Sequence, residues 1–407
     1  MAGFIVLLFS TAFSYGQQTF VNGNLAVLVA AASANNTTVS VVEINKTSAS
    51  QTAIQTISIA GTGTNAIRVS GSATSTLYAA NSNDGSLFCF TGHNSETTSS
   101  NANALLTRAV IAVDHSGNYS IKTTYTGTTG QQTRCATTLN NSDFFIGDQS
   151  GFYTNSATAV SPSGNIRSVK AFGGTVYAFT SSTSLPPVGI ISSNTGGTYT
   201  ALTGLENGAT SRQDFYLISS GENSNTYDIL YILDATSATA GTIYKYSLVN
   251  SSWTANGSYT TDFGGFGLCV EQSGTGANLY VTTGTGATTA NKVKKLFDSA
   301  GFNTAINITT ANNIDLYIAA TGTILKGIAF APYYDIANKV ESPILSSMKI
   351  TGNNIIFEQI PTSDINIYSI TGSKVATYSP TQSIALKLQK GVYIIRVDNQ
   401  TAKFILK

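Results

Sequence analysis

The stretch from Arg212 to Tyr259 reads RQDFYLISS-GENSNTY-DILYILDA-TSATAG-TIYKYSL-VNSS-WTANGSY. It holds four short runs of β-branched and aromatic residues, parted by Gly, Ser, Asn and Thr, which is the pattern of successive strands and turns. The pattern recurs as FGLCVEQ-SGTGA-NLYVTTG-TGATTA-NKVKKLF-DSAGF-NTAINIT from Phe266 to Thr309, and in part as RSVKAF-GG-TVYAFTSS from Arg167. Between Thr19 and Pro332 almost no apolar spacing suits a helix. Repeating units of roughly 35–60 residues with four antiparallel strands are propeller blades in sequence form. First strands near Leu77, Cys135, Ser168, Asp214, Gly267 and Gly327 predict about six blades, or seven if Leu77–Gly130 holds two. The last of them, LKGIAFAP, stands alone. Its missing partners are expected from the N-terminal strands between Asn24 and Ala60, a closure that leaves no sheet edge open to aggregation. The expected fold is therefore all-β: a propeller over residues 17–335, followed by a small Ig-like β-sandwich over 336–407.

Composition narrows the function classes. Only 10% of the 407 residues are charged and the net charge is +1, so bulk charge draws the chain neither to nucleic acid nor to an anionic membrane. Apolar content of 42% supplies a core. At the start, an apolar run from Phe4 to Phe9 precedes Ser14 and Gly16, which stand at −3 and −1 of a cut before Gln17. This predicts a secretory leader over residues 1–16. No later stretch is apolar enough for a transmembrane helix. Cys89, Cys135 and Cys269 have apolar neighbours and wide spacing, and are expected as small buried hydrophobes; a single disulfide among them stays open.

Little in the sequence carries catalytic chemistry. His93 and His115 are expected in surface loops, with no nucleophile elbow nearby. Asp84, Asp114, Asp148 and Asp234 sit in or beside turns, where Asp caps backbone amides. No carboxylate cluster suggests a metal and no phosphate loop precedes a helix, so neither metal nor cofactor is expected. The arginines are more informative, because there are only six. Arg134, Arg167 and Arg212 begin three successive first strands, Lys326 stands at the matching place in the last, and Arg68 lies in the approach to the first. In a propeller the first strands line the central channel. These cations are therefore expected around one channel mouth, either holding a carboxylate, sulfate or phosphate or, as the favoured expectation, bridging to carbonyls or an Asp of the next blade. Aromatic residues near loops (Tyr153, Tyr199, Trp253, Tyr259, Tyr333, Tyr334) are expected mostly in the core, with sugar stacking as the alternative.

Phrases in a fixed order (GNLAVLV, NSNDGSLFCFTGHN, RAVIAVDHSGN, IRSVKAFGGTVYAFTSS and KGIAFAP) resemble a family of secreted bacterial propeller-like proteins of unassigned function. The resemblance implies fold and export and brings no catalytic residues. Beyond Ser342 the balance of charge shifts to seven Lys/Arg against three Asp/Glu. INIYSITGSKVATY forms a hairpin pattern about Thr371-Gly372, and KGVYIIRV with a final AKFILK forms another. This stretch resembles the C-terminal sorting domain of proteins exported by the type IX secretion system of Bacteroidetes, although the usual Pro-Asn-Pro entry is missing. The resemblance implies recognition through Gly372, Lys374, Lys390, Gly391, Tyr393, Arg396 and Lys407, and removal after export from a Gram-negative cell. The resulting expectation is a secreted or cell-surface binding or adhesion protein for a glycan or anionic ligand. An extracellular hydrolase or lyase acting on polysaccharide or a phosphate ester is the alternative, and a structural surface-layer protein a third.

Overall fold

A computed structural model of the chain describes residues 18–153, 160–182, 184–191, 198–205, 211–223, 226–237, 239–284, 291–333, 348–397 and 400–406. The proposed leader lies outside them. The chain divides into two compact units, Met1–Tyr334 and Asp335–Lys407. The described residues are all-β apart from two single-turn 3-10 helices, and none of their helices is long and apolar enough to cross a membrane.

Six antiparallel sheets make up the described part of the first unit. Sheet one has a split inner strand, Ile67–Arg68 and Ala80–Asn81, followed by Leu87–Asn94, Thr107–Asp114 and Tyr119–Thr126. The inner strands of sheets two to five are Thr133–Thr138, Ile166–Phe172, Arg212–Ile218 and Leu268–Ser273, and each is followed in order by three more strands. Sheet six begins with Thr323–Phe330, which pairs with Leu25–Ala31 from the other end of the unit; Val39–Ile44 and Gln55–Ser58 then complete it. The N-terminal strands thus supply the partners that the lone LKGIAFAP strand lacks. The Leu77–Gly130 stretch forms one sheet.

Neighbouring inner strands pack against each other all the way round, and the innermost backbone of sheet one is hydrogen-bonded to the sheets on either side of it. Tyr78 N–H donates to Arg134 O (2.9 Å), and Gly327 N–H to Leu77 O (2.8 Å). Only glycine fits at 327, because a Cβ there would lie 2.3 Å from the Ala79 nitrogen.

Both faces of the sheets are covered, which is why the strands read as unbroken apolar runs. In Ile229–Ser237 of sheet four, Ile229, Tyr231 and Leu233 pack with Leu268, Val270 and Leu279 of sheet five. The intervening Leu230 and Ile232 pack with Phe179 and Val188 of sheet three. Buried ion pairs join adjacent sheets at three places. Arg108 of sheet one meets Asp148 of sheet two; Lys170 of sheet three meets Asp214 of sheet four at 2.9 Å; Lys245 of sheet four meets Asp298 of sheet five at 2.9 Å.

The second unit is a two-sheet sandwich. Lys349–Thr351, Asn354–Ile356 and Ser383–Ala385 form one sheet, and Lys374–Tyr378, Ile365–Ser369, Gly391–Val397 and Gln400–Leu406 form the other. Ile355, Phe357 and Ile384 from the first close a core with Ile367, Ile395 and Phe404 from the second.

Candidate functional site

Aligning the six inner strands at their starting ends puts one residue of each in register: Tyr78, Arg134, Arg167, Gln213, Phe266 and Lys326. Their contacts show that they meet. The Arg167 Nη1 donates to the Tyr78 hydroxyl (3.2 Å), which donates to Gln213 Oε1 (3.1 Å). Tyr78 stacks on Phe266, with ring centroids 4.4 Å apart, and the Lys326 ammonium lies over the other aromatic partner, 4.8 Å from the Phe266 centroid. The Lys326 Nζ also donates to Ala73 O at 2.7 Å.

Three cations therefore converge, and among the described residues none of them has a carboxylate hydrogen-bonded to it, although the Asp148 charge acts on Arg134. Arg134 is the extreme case. It is 2% exposed, and its Nε and Nη1 are buried with no acceptor among the described residues. Burial pushes its pKa down to about 9, and the Arg167 charge adds to the shift. The Arg167 Nε is likewise buried without an acceptor. Burial alone pushes Lys326 down to about 7. An uncompensated buried cation is unfavourable by several kcal/mol, so such a cluster favours an anion. Asp214, next to Gln213, does not compensate it: that carboxylate is engaged by Lys170 and by the amides of Leu268 and Phe215.

Two of the five cations picked out in the sequence stand elsewhere. Arg212 is one residue out of register, and Gln213 takes its place at the ring. The Arg212 guanidinium instead donates to the carbonyls of Thr180 (3.1 Å), Ser182 and Leu185 (3.0 Å) in sheet three, which is the bridging role. Arg68 lies in the first piece of the split strand and donates from Nε to Asn36 Oδ1 at 2.7 Å. Sequence reasoning missed Tyr78, Gln213 and Phe266 because it searched for cations. The signal was there in the residue just before Cys135, Ser168, Asp214, Gly267 and Gly327.

The histidine expectation needs correcting for His93. It lies within Leu87–Asn94 and is 1% exposed, because that strand is covered on both faces. Its Nδ1 is 3.0 Å from Leu105 O, and burial with the nearby Arg108 charge pushes its pKa down to about 4. His115 is half-buried in a turn, with Nδ1 3.2 Å from Pro332 O. Asp84 and Asp114 accept turn amides from Ser86 and Asn118. Asp148 accepts the Ser150 amide and also holds Arg108. The three cysteines are free and buried, and burial holds all three thiols well above their ordinary pKa. Tyr153 and Trp253 are core residues, Tyr333 lines a cavity considered below, and Tyr334 lies outside the described residues.

In the second unit, Gly372 (φ +85°) turns the hairpin between Ile365–Ser369 and Lys374–Tyr378. Gly391–Val397 pairs with Gln400–Leu406, where Tyr393 is stacked on Phe404 and donates to Gln389 O (2.8 Å). Lys374, Lys390 and Arg396 are exposed, and Lys407 lies outside the described residues.

No protein-family model matches this chain, and no curated protein matches it. It is similar to solved structures. One is a provisionally assigned 6-phosphogluconolactonase from Bacteroides uniformis, at 13% identity and TM-score 0.45, covering 79% of this chain and 90% of that one. Another is the periplasmic gluconolactonase of Pseudomonas aeruginosa, at 9% identity and TM-score 0.37, covering 94% and 99%. A third is the extracellular domain of a provisionally assigned hybrid two-component system from B. thetaiotaomicron, at 10% identity and TM-score 0.38, covering 94% and 56%. At these identities and TM-scores the likeness extends to no activity.

Proposed function

We propose that this chain is an exported binding protein whose propeller holds an anionic group at the starting ends of its inner strands. Arg134 and Arg167 supply the guanidinium donors, Lys326 adds charge, and Gln213 with Tyr78 orients the set. The observation that carries this is the Arg134 side chain, buried beside a second arginine with two nitrogens unpaired. Guanidinium forks match carboxylate, sulfate and phosphate oxygens. A hydrolase reading needs carboxylates or a histidine-carboxylate pair converging on the same mouth. Among the described residues the converging groups are cations, an amide and aromatic rings.

Thermal unfolding with added sulfate, phosphate or acetate tests the reading. At least one of these anions raises the Tm of the unmodified chain, by up to about 2.7 kcal/mol of stability at a hundred times its Kd. Arg134→Met and Arg167→Met abolish the shift, while Arg212→Met lowers the starting Tm and leaves the shift intact. A chain indifferent to all three anions, or equal shifts in every variant, overturns it.

Export forms the second part of the proposal. The terminal hairpins of residues 335–407 act as the address for the type IX secretion machinery, which implies a secreted or outer-membrane-surface location. Support comes from the matched residues of the tail and from its own core, separate from that of the first unit. Fusing residues 335–407 to a reporter in a Bacteroidetes host carries the reporter to the cell surface, and Gly391→Asp in the fusion retains it inside. A reporter exported equally well without the tail contradicts this.

A further inference from the structure

The six inner strands run the same way, so their finishing ends surround a second channel mouth, opposite the cation ring. A cavity of about 530 Å3 opens there, in the size range of small-ligand sites. Asn81, Phe172, Tyr216, Glu271 and Phe330, all late on inner strands of five different sheets, line it together with Tyr227 and Tyr333.

Two features give this cavity a chemistry of its own. First, glycines let two tyrosine rings pack close against backbone. A Cβ on Gly85 (φ +73°) would sit 2.3 Å from Cε1 of Tyr333, and one on Gly173 (φ +58°) would sit 2.7 Å from Cε2 of Tyr227. Each ring is thus held against a left-handed turn that favours glycine, and both residues line the cavity. Second, the cavity is electrically balanced. Its two charged residues neutralise each other, Lys46 Nζ lying 2.7 Å from Glu271 Oε2, and the other Glu271 oxygen accepts from the Tyr280 hydroxyl at 2.7 Å. The remaining polar lining is amide and hydroxyl, from Asn22, Ser82 and Asn83.

From this geometry we infer that the second mouth is a binding site for a short neutral saccharide, separate from the anion site. Rigid tyrosine rings give flat apolar surface at low conformational cost and carry a hydroxyl for the wet edge. A sugar ring has the matching build, with an apolar C–H face and a rim of hydroxyls that amides and hydroxyls can pair. An anion gains nothing at a balanced pair, and a purely apolar ligand would leave the amide rim without partners.

The test is saturation-transfer NMR and calorimetry on the full chain with maltose, cellobiose, lactose and N,N′-diacetylchitobiose at millimolar concentration. At least one of them binds. Tyr227→Ala and Tyr333→Ala each weaken it about tenfold or more, and Tyr227→Phe retains it. Arg134→Met leaves the affinity unchanged, and the sulfate-dependent Tm shift persists in Tyr227→Ala, so the two mouths fail or succeed independently. If Tyr227→Ala does not fold, Tyr227→Leu replaces it, keeping bulk while removing the aromatic face, and still loses the sugar. The inference is overturned if none of the four disaccharides binds, if binding ignores both tyrosines, or if Arg134→Met removes it.

Discussion

At residue scale, the molecule treats its buried charges in two ways. Lys245 is paired with Asp298 and also donates to the carbonyls of Ala300 (2.8 Å) and Gly301 (2.9 Å), so every proton of its ammonium has a partner. Removing one side of such a pair strands the other. Asp298→Ala should cost about 3–5 kcal/mol in urea unfolding, whereas the double change of Lys245 and Asp298 to Met and Leu should cost much less. Lys326 is the opposite case, a buried ammonium with a single carbonyl acceptor and a ring beneath it. Its folded pKa of about 7 lies below the ordinary 10.5, so between those values the unfolded chain binds more protons than the folded one. Stability therefore rises with pH from about 7 toward 10.5 and is flat with respect to this group below about 7, with a slope of at most about 1.4 kcal/mol per pH unit. Lys326→Met should remove that slope in pH-dependent melting. If the cation cluster holds an anion as proposed, its affinity should run the other way, strengthening as pH falls through about 7 and Lys326 gains its charge; titrating sulfate at pH 6 and pH 8 measures it.

At the scale of the element, each strand serves two neighbours. The DILYILD run has no polar face because both faces meet another sheet, so odd and even positions feed different cores. At the inner edge the packing tightens until side chains are excluded. Gly327→Ala should therefore destabilise by about 3 kcal/mol or more, at the upper end of overpacking costs, because its Cβ would meet the Leu77 oxygen at 2.6 Å as well as the Ala79 nitrogen. The urea midpoint reads this directly. Gly322→Ala is a poor control, since that glycine has a positive φ of +82°; Thr323→Ala, at the half-buried start of the same strand, should cost less. Arg212 belongs here too, because it stitches sheet four to a loop of sheet three.

For the whole molecule, closure is the decisive act. Sheet six joins residues about as far apart as the first unit allows, Leu25 opposite Phe330 and Ala30 opposite Ile324. Deleting residues 18–60 takes three strands from that sheet and leaves Thr323–Phe330 as a bare edge, which should drive aggregation. Size-exclusion chromatography of the deletion against the intact chain checks this. A circular permutant that joins the two ends of the first unit and opens a turn elsewhere should stay monomeric.

Strand content, the four-strand repeat and the need for a closing partner were all legible in the chain, because alternation and turn residues are local properties. The tail was legible for the same reason: Gly372 and the Gly391 hairpin announce their own turns. The site was legible only in part. Arg134, Arg167 and Lys326 could be picked out by position within a repeat, but Arg212 and Arg68 looked the same, and a one-residue change of register turns a strand's side chain from the channel to a neighbouring loop. His93 could not be told from a surface histidine, because burial depends on which sheet covers it. Local sequence set which segments are strands and where they turn. Only the closed ring decided which side chains share the axis, since residues from Tyr78 to Lys326 become neighbours solely through contacts between distant parts of the chain.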